Sequence, residues 1–89
     1  MIARSKTGFE LDIDVENVTD NWETVELMAE ADDGSLGAMI KAMKQILGTE
    51  GYTELKEHVR SLSKTGKIST KAMQSEFKSL IDSITPTKN

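Results

Sequence analysis

The chain opens on two short runs either side of a Thr7-Gly8 pair, and the second, Phe9-Glu10-Leu11-Asp12-Ile13-Asp14, alternates apolar and acidic residues without a break. A period of two places Phe9, Leu11 and Ile13 on one face of a strand and the carboxylates on the other, so residues 2–14 read as a short β-hairpin turning at Thr7-Gly8. Two strands are not stable alone in water, so the apolar face must lie on the helices that follow.

From there the period changes to that of a helix. Asp20-Asn21-Trp22-Glu23 has the form of a helix start, with Asp20 as cap, Glu23 three residues on, and acidic side chains at the positive end of the dipole. This first helix is predicted over 20–31. Trp22, Val25, Met28 and Ala29 share its apolar face, Leu27 lies at the margin, Glu23, Glu26 and Glu30 face water, and Asp32-Asp33-Gly34 breaks it. Leu36, Met39, Ile40, Met43, Ile46 and Leu47 form the clearest stripe, giving a helix over 35–47 that Gly48 stops. A third helix over 50–62, capped by Thr49, carries Tyr52, Leu55, Val59 and Leu62, although Gly51 in its first turn costs about 1 kcal/mol relative to alanine. After a turn at 63–67, Ser69 or Thr70 caps a fourth helix over 69–84 bearing Met73, Phe77, Leu80, Ile81 and Ile84. Pro86 ends it, and residues 85–89 are expected to fray. The predicted fold is mainly α: an N-terminal β-hairpin followed by about four helices, packed as one small domain over 1–89.

Composition narrows the functional classes. At 89 residues the chain suits a single domain near the size where stability becomes marginal. The absence of cysteine removes disulfides, thiolate zinc sites and thiol nucleophiles together, and fits a reducing compartment. No apolar run follows the N-terminus, so neither a secretory signal nor a membrane span is expected and the protein is placed in the cytoplasm. Charge is unevenly divided. Residues 1–34 hold ten acidic against two basic side chains, and residues 35–89 hold five against nine. That division solvates opposite faces of one fold, and in a protein that stacks head to tail it would also steer copies together. The lysines are spread out and not clustered with aromatics, so nucleic acid is not an expected partner.

Candidate chemistry is sparse. His58, the only histidine, lies in Glu57-His58-Val59-Arg60 with no serine, carboxylate or second histidine at a recurring catalytic spacing, and reads as a surface or boundary residue. A single histidine without cysteine makes a transition-metal site unexpected. Calcium loops built on Gly34 or Gly66 fail as well. The Gly34 register puts Ala29, Ala31 and Ile40 in ligand places, and the Gly66 register puts Ala72 where a bidentate glutamate belongs. The scattered glycines make no phosphate-cradling loop. Asp12 with Asp14 and Glu26 with Glu30 sit on polar faces, where solvated carboxylates do no acid and base work. No cofactor and no enzymatic activity are expected.

The residues that stand out are methionines. Met28, Met39, Met43 and Met73 are many for so short a chain, and methionine packs adaptably against varied apolar partners. They read as core, or as the lining of a protein-binding groove or self-association surface. Trp22, beside a helix start, likewise reads as a core anchor or an interface anchor.

The order of these pieces resembles the small tail assembly chaperones of long, non-contractile-tailed bacteriophages. The resemblance runs from Phe9-Glu10-Leu11-Asp12-Ile13-Asp14 through the stretch from Asp20-Asn21-Trp22 to Asp33-Gly34. It continues over Ile46-Leu47-Gly48, Tyr52-Thr53-Glu54-Leu55 and Glu57-His58-Val59-Arg60 to Gly66-Lys67-Ile68-Ser69, nearly the whole chain. It implies a protein that binds the long tape measure protein, keeps it soluble and helps recruit tail tube subunits before the tube polymerises. Many such chaperones exist in two forms, the longer made by ribosomal frameshifting, and this chain would correspond to the short form or the shared N-terminal part. A small phage structural or connector protein is the alternative. A transcription regulator fits less well, because Gly48-Thr49-Glu50-Gly51 puts acidic side chains where a recognition helix needs basic or amide ones.

Overall fold

The computed structural model describes residues 1–85. β1 (Ile2–Arg4) and β2 (Glu10–Asp12) pair antiparallel with Ile2 opposite Asp12, Ala3 opposite Leu11 and Arg4 opposite Glu10. The Ser5 N–H donates to the Phe9 carbonyl at 2.8 Å and the Gly8 N–H to the Ser5 carbonyl at 3.0 Å. Gly8 takes a φ of 95°, open to glycine at no steric cost. Four helices follow: α1 (Val15–Thr19), α2 (Trp22–Asp32), α3 (Leu36–Leu62) and α4 (Thr70–Ile84). The mainly helical single domain with an N-terminal hairpin is thus as predicted, but its helices are divided differently.

The five-residue α1 precedes the predicted first helix. Asp14 caps it by accepting from the Glu16 N–H at 3.1 Å, and Asp20 closes it instead of opening the next. Asn21 is the cap of α2, accepting from the Glu23 N–H at 3.1 Å. The two helices predicted over 35–47 and 50–62 are arms of α3, 36–47 and 49–62, joined directly at Gly48 with φ 77° and ψ 168°. The division falls where glycine predicted it, but the backbone of Gly48 makes it without a loop. Ser35 caps α3, accepting from the Ala38 N–H at 3.1 Å, and Ser69 caps α4 by the same bond to Ala72. Thr85 closes α4, its N–H and hydroxyl both donating to the Ile81 carbonyl, so the predicted fraying does not begin there. Pro86 and the rest of that predicted tail lie outside the described residues.

The core is a single cluster in which α4 contributes Met73, Phe77, Leu80, Ile81 and Ile84, the predicted stripe in full. Leu55 and Val59 from the second arm of α3, Met43, Ile46 and Leu47 from the first, Val18 from α1, and Ala3 and Ile13 from the hairpin complete it. Phe9 and Leu11 pack against its edge, as the alternation required. Gly51 has a specific use there. A Cβ at that position would stand 2.8 Å from Leu11 Cδ2 and 3.3 Å from Leu47 Cβ, so the glycine that weakens the helix admits the strand's leucine.

The inner face of α2 is rotated by about a third of a turn from the predicted one, and of the residues predicted there only Met28 lies on it. Thr24 is completely buried with Leu27, Met28 and Ala31 half-buried beside it, whereas Trp22 is 73% exposed and Val25 and Ala29 also face outward. A polar chain fixes this orientation. Asn21 Nδ2 donates to Asn17 Oδ1 at 2.7 Å, Asn17 Nδ2 to the Gln45 carbonyl at 3.0 Å, and Gln45 Nε2 to Thr24 Oγ1 at 3.1 Å. With these groups satisfied, burying a threonine face against α3 leaves no polar atom unpaired. On α3 the buried row runs through Ala38 and Ala42, whose small side chains allow α2 to approach closely, and this rotates Leu36 and Ile40 out of the predicted core. Leu62, also predicted apolar-inward, is exposed at the end of the same helix.

A hydrogen-bonded seam ties the two ends of the chain. Ser83 and Ser79 accept from the backbone N–H groups of Arg4 and Lys6, each at 3.0 Å, and the Lys6 ammonium donates to the Ser75 hydroxyl. Serines four residues apart lie in one row on α4, and alternate N–H groups of a strand point the same way, so the two repeats mesh. Among the described residues no helix is long and apolar enough to cross a membrane.

Two substitutions test this account. Gly48 occupies a backbone region that is essentially glycine-only, and its missing Cβ would meet nothing within 4 Å. Gly48→Ala is therefore expected to cost about 1–3 kcal/mol through backbone strain alone, lowering Tm by about 4 °C or more in a thermal melt. Ser79→Ala is expected to cost about 0.5–1.5 kcal/mol and to accelerate hydrogen exchange at the Lys6 amide while leaving that of Ser5, which is paired across the hairpin, nearly unchanged.

Candidate protein-binding site

An apolar groove runs between the two arms of α3 and the start of α4. Met43 and Met73 form its floor, both buried, with Met39 half-buried beside them. Leu36 and Ile40 on the first arm, 49% and 36% exposed, make one wall, and Tyr52 with Ile68 makes the other. Among its lining residues Lys56 alone is charged, and its ammonium lies 4.9 Å from the centroid of the Tyr52 ring. Lys44 reaches the same ring at 5.5 Å, so two cations stand about one aromatic ring at the rim. The hollow holds about 230 Å³, below the roughly 300–1,000 Å³ of small-molecule sites.

Three of the five residues singled out from sequence converge here: Met39, Met43 and Met73. Met28 shares a neighbouring hollow with Met39, between α2 and α4, and Trp22 stands apart at the N-terminal end of α2. The reading of Trp22 as a core anchor is contradicted by its exposure, and for Met43 and Met73 the core reading holds, since they present only their upper surface to the groove. Sequence reasoning missed Leu36, Ile40, Tyr52, Ile68 and Lys56. The first two were assigned to the core stripe, and the signal that separates them is the alanine pair Ala38 and Ala42, which marks a second, closer-packing face of the same helix.

The structure also gives His58 partners that lie 51 and 18 residues away. Thr7 Oγ1 donates to Glu76 Oε1 at 2.5 Å, and with its only proton so used the Thr7 oxygen accepts from His58 Nε2–H at 2.7 Å. His58 Nε2 is 3.8 Å from Glu76 Oε1, and Phe9 covers the imidazole with ring centroids 5.3 Å apart. Glu76 is buried to 2% exposure. A hydroxyl made nucleophilic by histidine must give its proton to the imidazole, and the base must in turn be held by a third group. Here the hydroxyl proton points at the carboxylate, and imidazole and carboxylate converge on the same oxygen. The cluster is a latch between the hairpin turn, the second arm of α3 and α4.

Among the described residues no group of three or more histidine and acidic side chains is placed to hold a metal ion. No protein-family model matches the chain, and neither curated proteins nor solved structures give a match.

The latch makes a defined prediction. Thr7→Val keeps the volume but leaves the buried Glu76 carboxylate without its donor, which is expected to lower stability by about 1.5–3 kcal/mol in urea denaturation. Thr7→Ser restores the hydroxyl and is expected to recover most of that loss.

Proposed function

We propose that the chain is a small binding protein of the tail assembly chaperone kind, which covers apolar helical stretches of a tape measure protein, keeps that protein soluble and helps recruit tail tube subunits. The observation that carries this reading is the open groove between the arms of α3 and α4, whose methionine floor and leucine, isoleucine and tyrosine walls suit the apolar stripe of an amphipathic helix. A long helical cargo with exposed stripes aggregates until something covers them, and many small subunits with negative net charge would keep such a complex in solution. The shallow groove favours contacts weak enough for tube subunits to displace. The order of sequence elements, which resembles that family over nearly the whole chain, supports the same reading.

Co-expression with the tape measure protein of the same phage or prophage tests it. The expected outcome is that both copurify, that the cargo is soluble only with its partner, and that Ile40→Asp or Met39→Asp abolishes rescue. An insoluble cargo beside a lone, monodisperse chain would refute the chaperone reading and favour a small structural or connector protein, whose retention in purified particles is then the measurement to make.

A further inference from the structure

α2 has two unlike faces. Its inner face carries Thr24, Leu27, Met28 and Ala31 against α3. Its outer face carries Trp22, Val25 and Ala29, all exposed and spaced i, i+3 and i+7 as an apolar stripe, with Glu23, Glu26 and Glu30 alongside. No basic residue occurs in the sequence between Lys6 and Lys41, so this stripe has purely acidic surroundings along the chain. The groove on α3 and α4 is its converse: apolar walls of Leu36, Ile40, Tyr52 and Ile68, with Lys44 and Lys56 at the aromatic rim and no acidic lining residue among those described.

We infer that the groove of one copy receives the outer face of α2 from a second copy, with Trp22 as the anchor and Glu23 and Glu26 meeting Lys44 and Lys56. Three features of the two surfaces point to this occupant. A tryptophan left 73% exposed in a chain with one tryptophan is the residue type that dominates interface energetics when it fills a pocket. The groove, at about 230 Å³, is smaller than the roughly 300–1,000 Å³ of small-molecule sites. The charges flanking the two surfaces are opposite, and unlike patches that are complementary steer association. Because the inner face of α2 is committed to its own α3 through Thr24 and Gln45, the outer face is turned away from the domain that bears it. Made once between two copies, such a contact of unlike surfaces is heterologous: it leaves one α2 face and one groove free, and addition continues at both ends of the growing oligomer. This inference does not rest on the chaperone reading. A cargo helix that used the groove would compete with the second copy for it.

The single tryptophan makes the test direct. Purified full-length chain, studied without cargo from micromolar to near-millimolar concentration by sedimentation velocity, is expected to pass from monomer to a series of higher species, with Trp22 emission shifting to the blue as it becomes buried. Added salt weakens the association. Trp22→Ala and Ile40→Asp are each expected to weaken self-association at least about 30-fold, as truncation of an interface anchor does. Leu36→Glu is a second groove variant should Ile40→Asp unfold, and circular dichroism decides that. The two variants mixed retain one intact pair of surfaces between them. The mixture is expected to form a two-chain species that grows no further, and the emission of the Ile40→Asp chain shifts to the blue only when the Trp22→Ala chain is added. A wild-type chain that stays monomeric at near-millimolar concentration, Trp22→Ala associating as wild type does, or a mixture that stays monomeric would each overturn the inference.

Discussion

The structure depends on how β1 is finished. A two-stranded sheet leaves each strand with one unpaired edge, and an open edge both weakens the hairpin and invites pairing with other chains. On β1 that edge is met by hydroxyls of a helix that begins more than sixty residues later, Ser79 and Ser83 accepting from Lys6 and Arg4. Ser79 and Ser83 donate in turn to the carbonyls of Glu76 and Leu80, so each hydroxyl is both donor and acceptor and none is left idle. The seam fixes the height of α4 against the hairpin, and Thr7 with Glu76 fixes its direction at the turn. With α4 held there, Phe77, Leu80 and Ile84 meet Ile13 and Ala3, and one core serves both ends of the chain.

The second constraint is Gly48. A straight helix from Leu36 to Leu62 would be about 40 Å long at 1.5 Å per residue and could cover only one side of so small a core. The φ of 77° at Gly48 breaks it into two arms that diverge, so that the first packs on α2 while the second carries Leu55 and Val59 beneath the hairpin. The groove is the space the divergence opens. Its floor is core and its walls are the residues left over. Fold and candidate site therefore follow from the same glycine.

What could be read from sequence and what could not differ by the range of the interaction. The Phe9-Leu11-Ile13 alternation and the α4 stripe were legible because one face of each element is buried along its whole length, and a full-length face leaves a clean period. α2 was misread because its amphipathicity is split. Trp22, Val25 and Ala29 look like a core face by hydrophobicity, and only the side-chain bonds of Thr24 with Gln45, twenty-one residues away, show that the helix is rotated from it. The same holds for His58, whose partners on β1's turn and α4 have no fixed sequence spacing to betray them. The serine row of α4 was visible as 75, 79 and 83, but on its own a polar row on an amphipathic helix means solvent, and here it means a strand edge. Hydrophobic period locates elements; their rotation is set by polar pairings that sequence order does not reveal.

That rotation has an energetic consequence. Fully burying a tryptophan removes about 150–250 Å² from water, which at about 25 cal/mol per Å² is worth roughly 4–6 kcal/mol. A domain of this kind has a net stability of only about 5–15 kcal/mol, so leaving Trp22 73% exposed forgoes a sizeable part of that margin. The orientation found instead buries Thr24, a residue that needs a partner to be buried at all, and supplies that partner with an ordered chain of two asparagines and a glutamine. Polar specificity has been placed inside and apolar surface outside, the reverse of what monomer stability alone selects. Among the described residues nothing covers Trp22, and that uncovered ring is the surface the proposed contact between copies would bury.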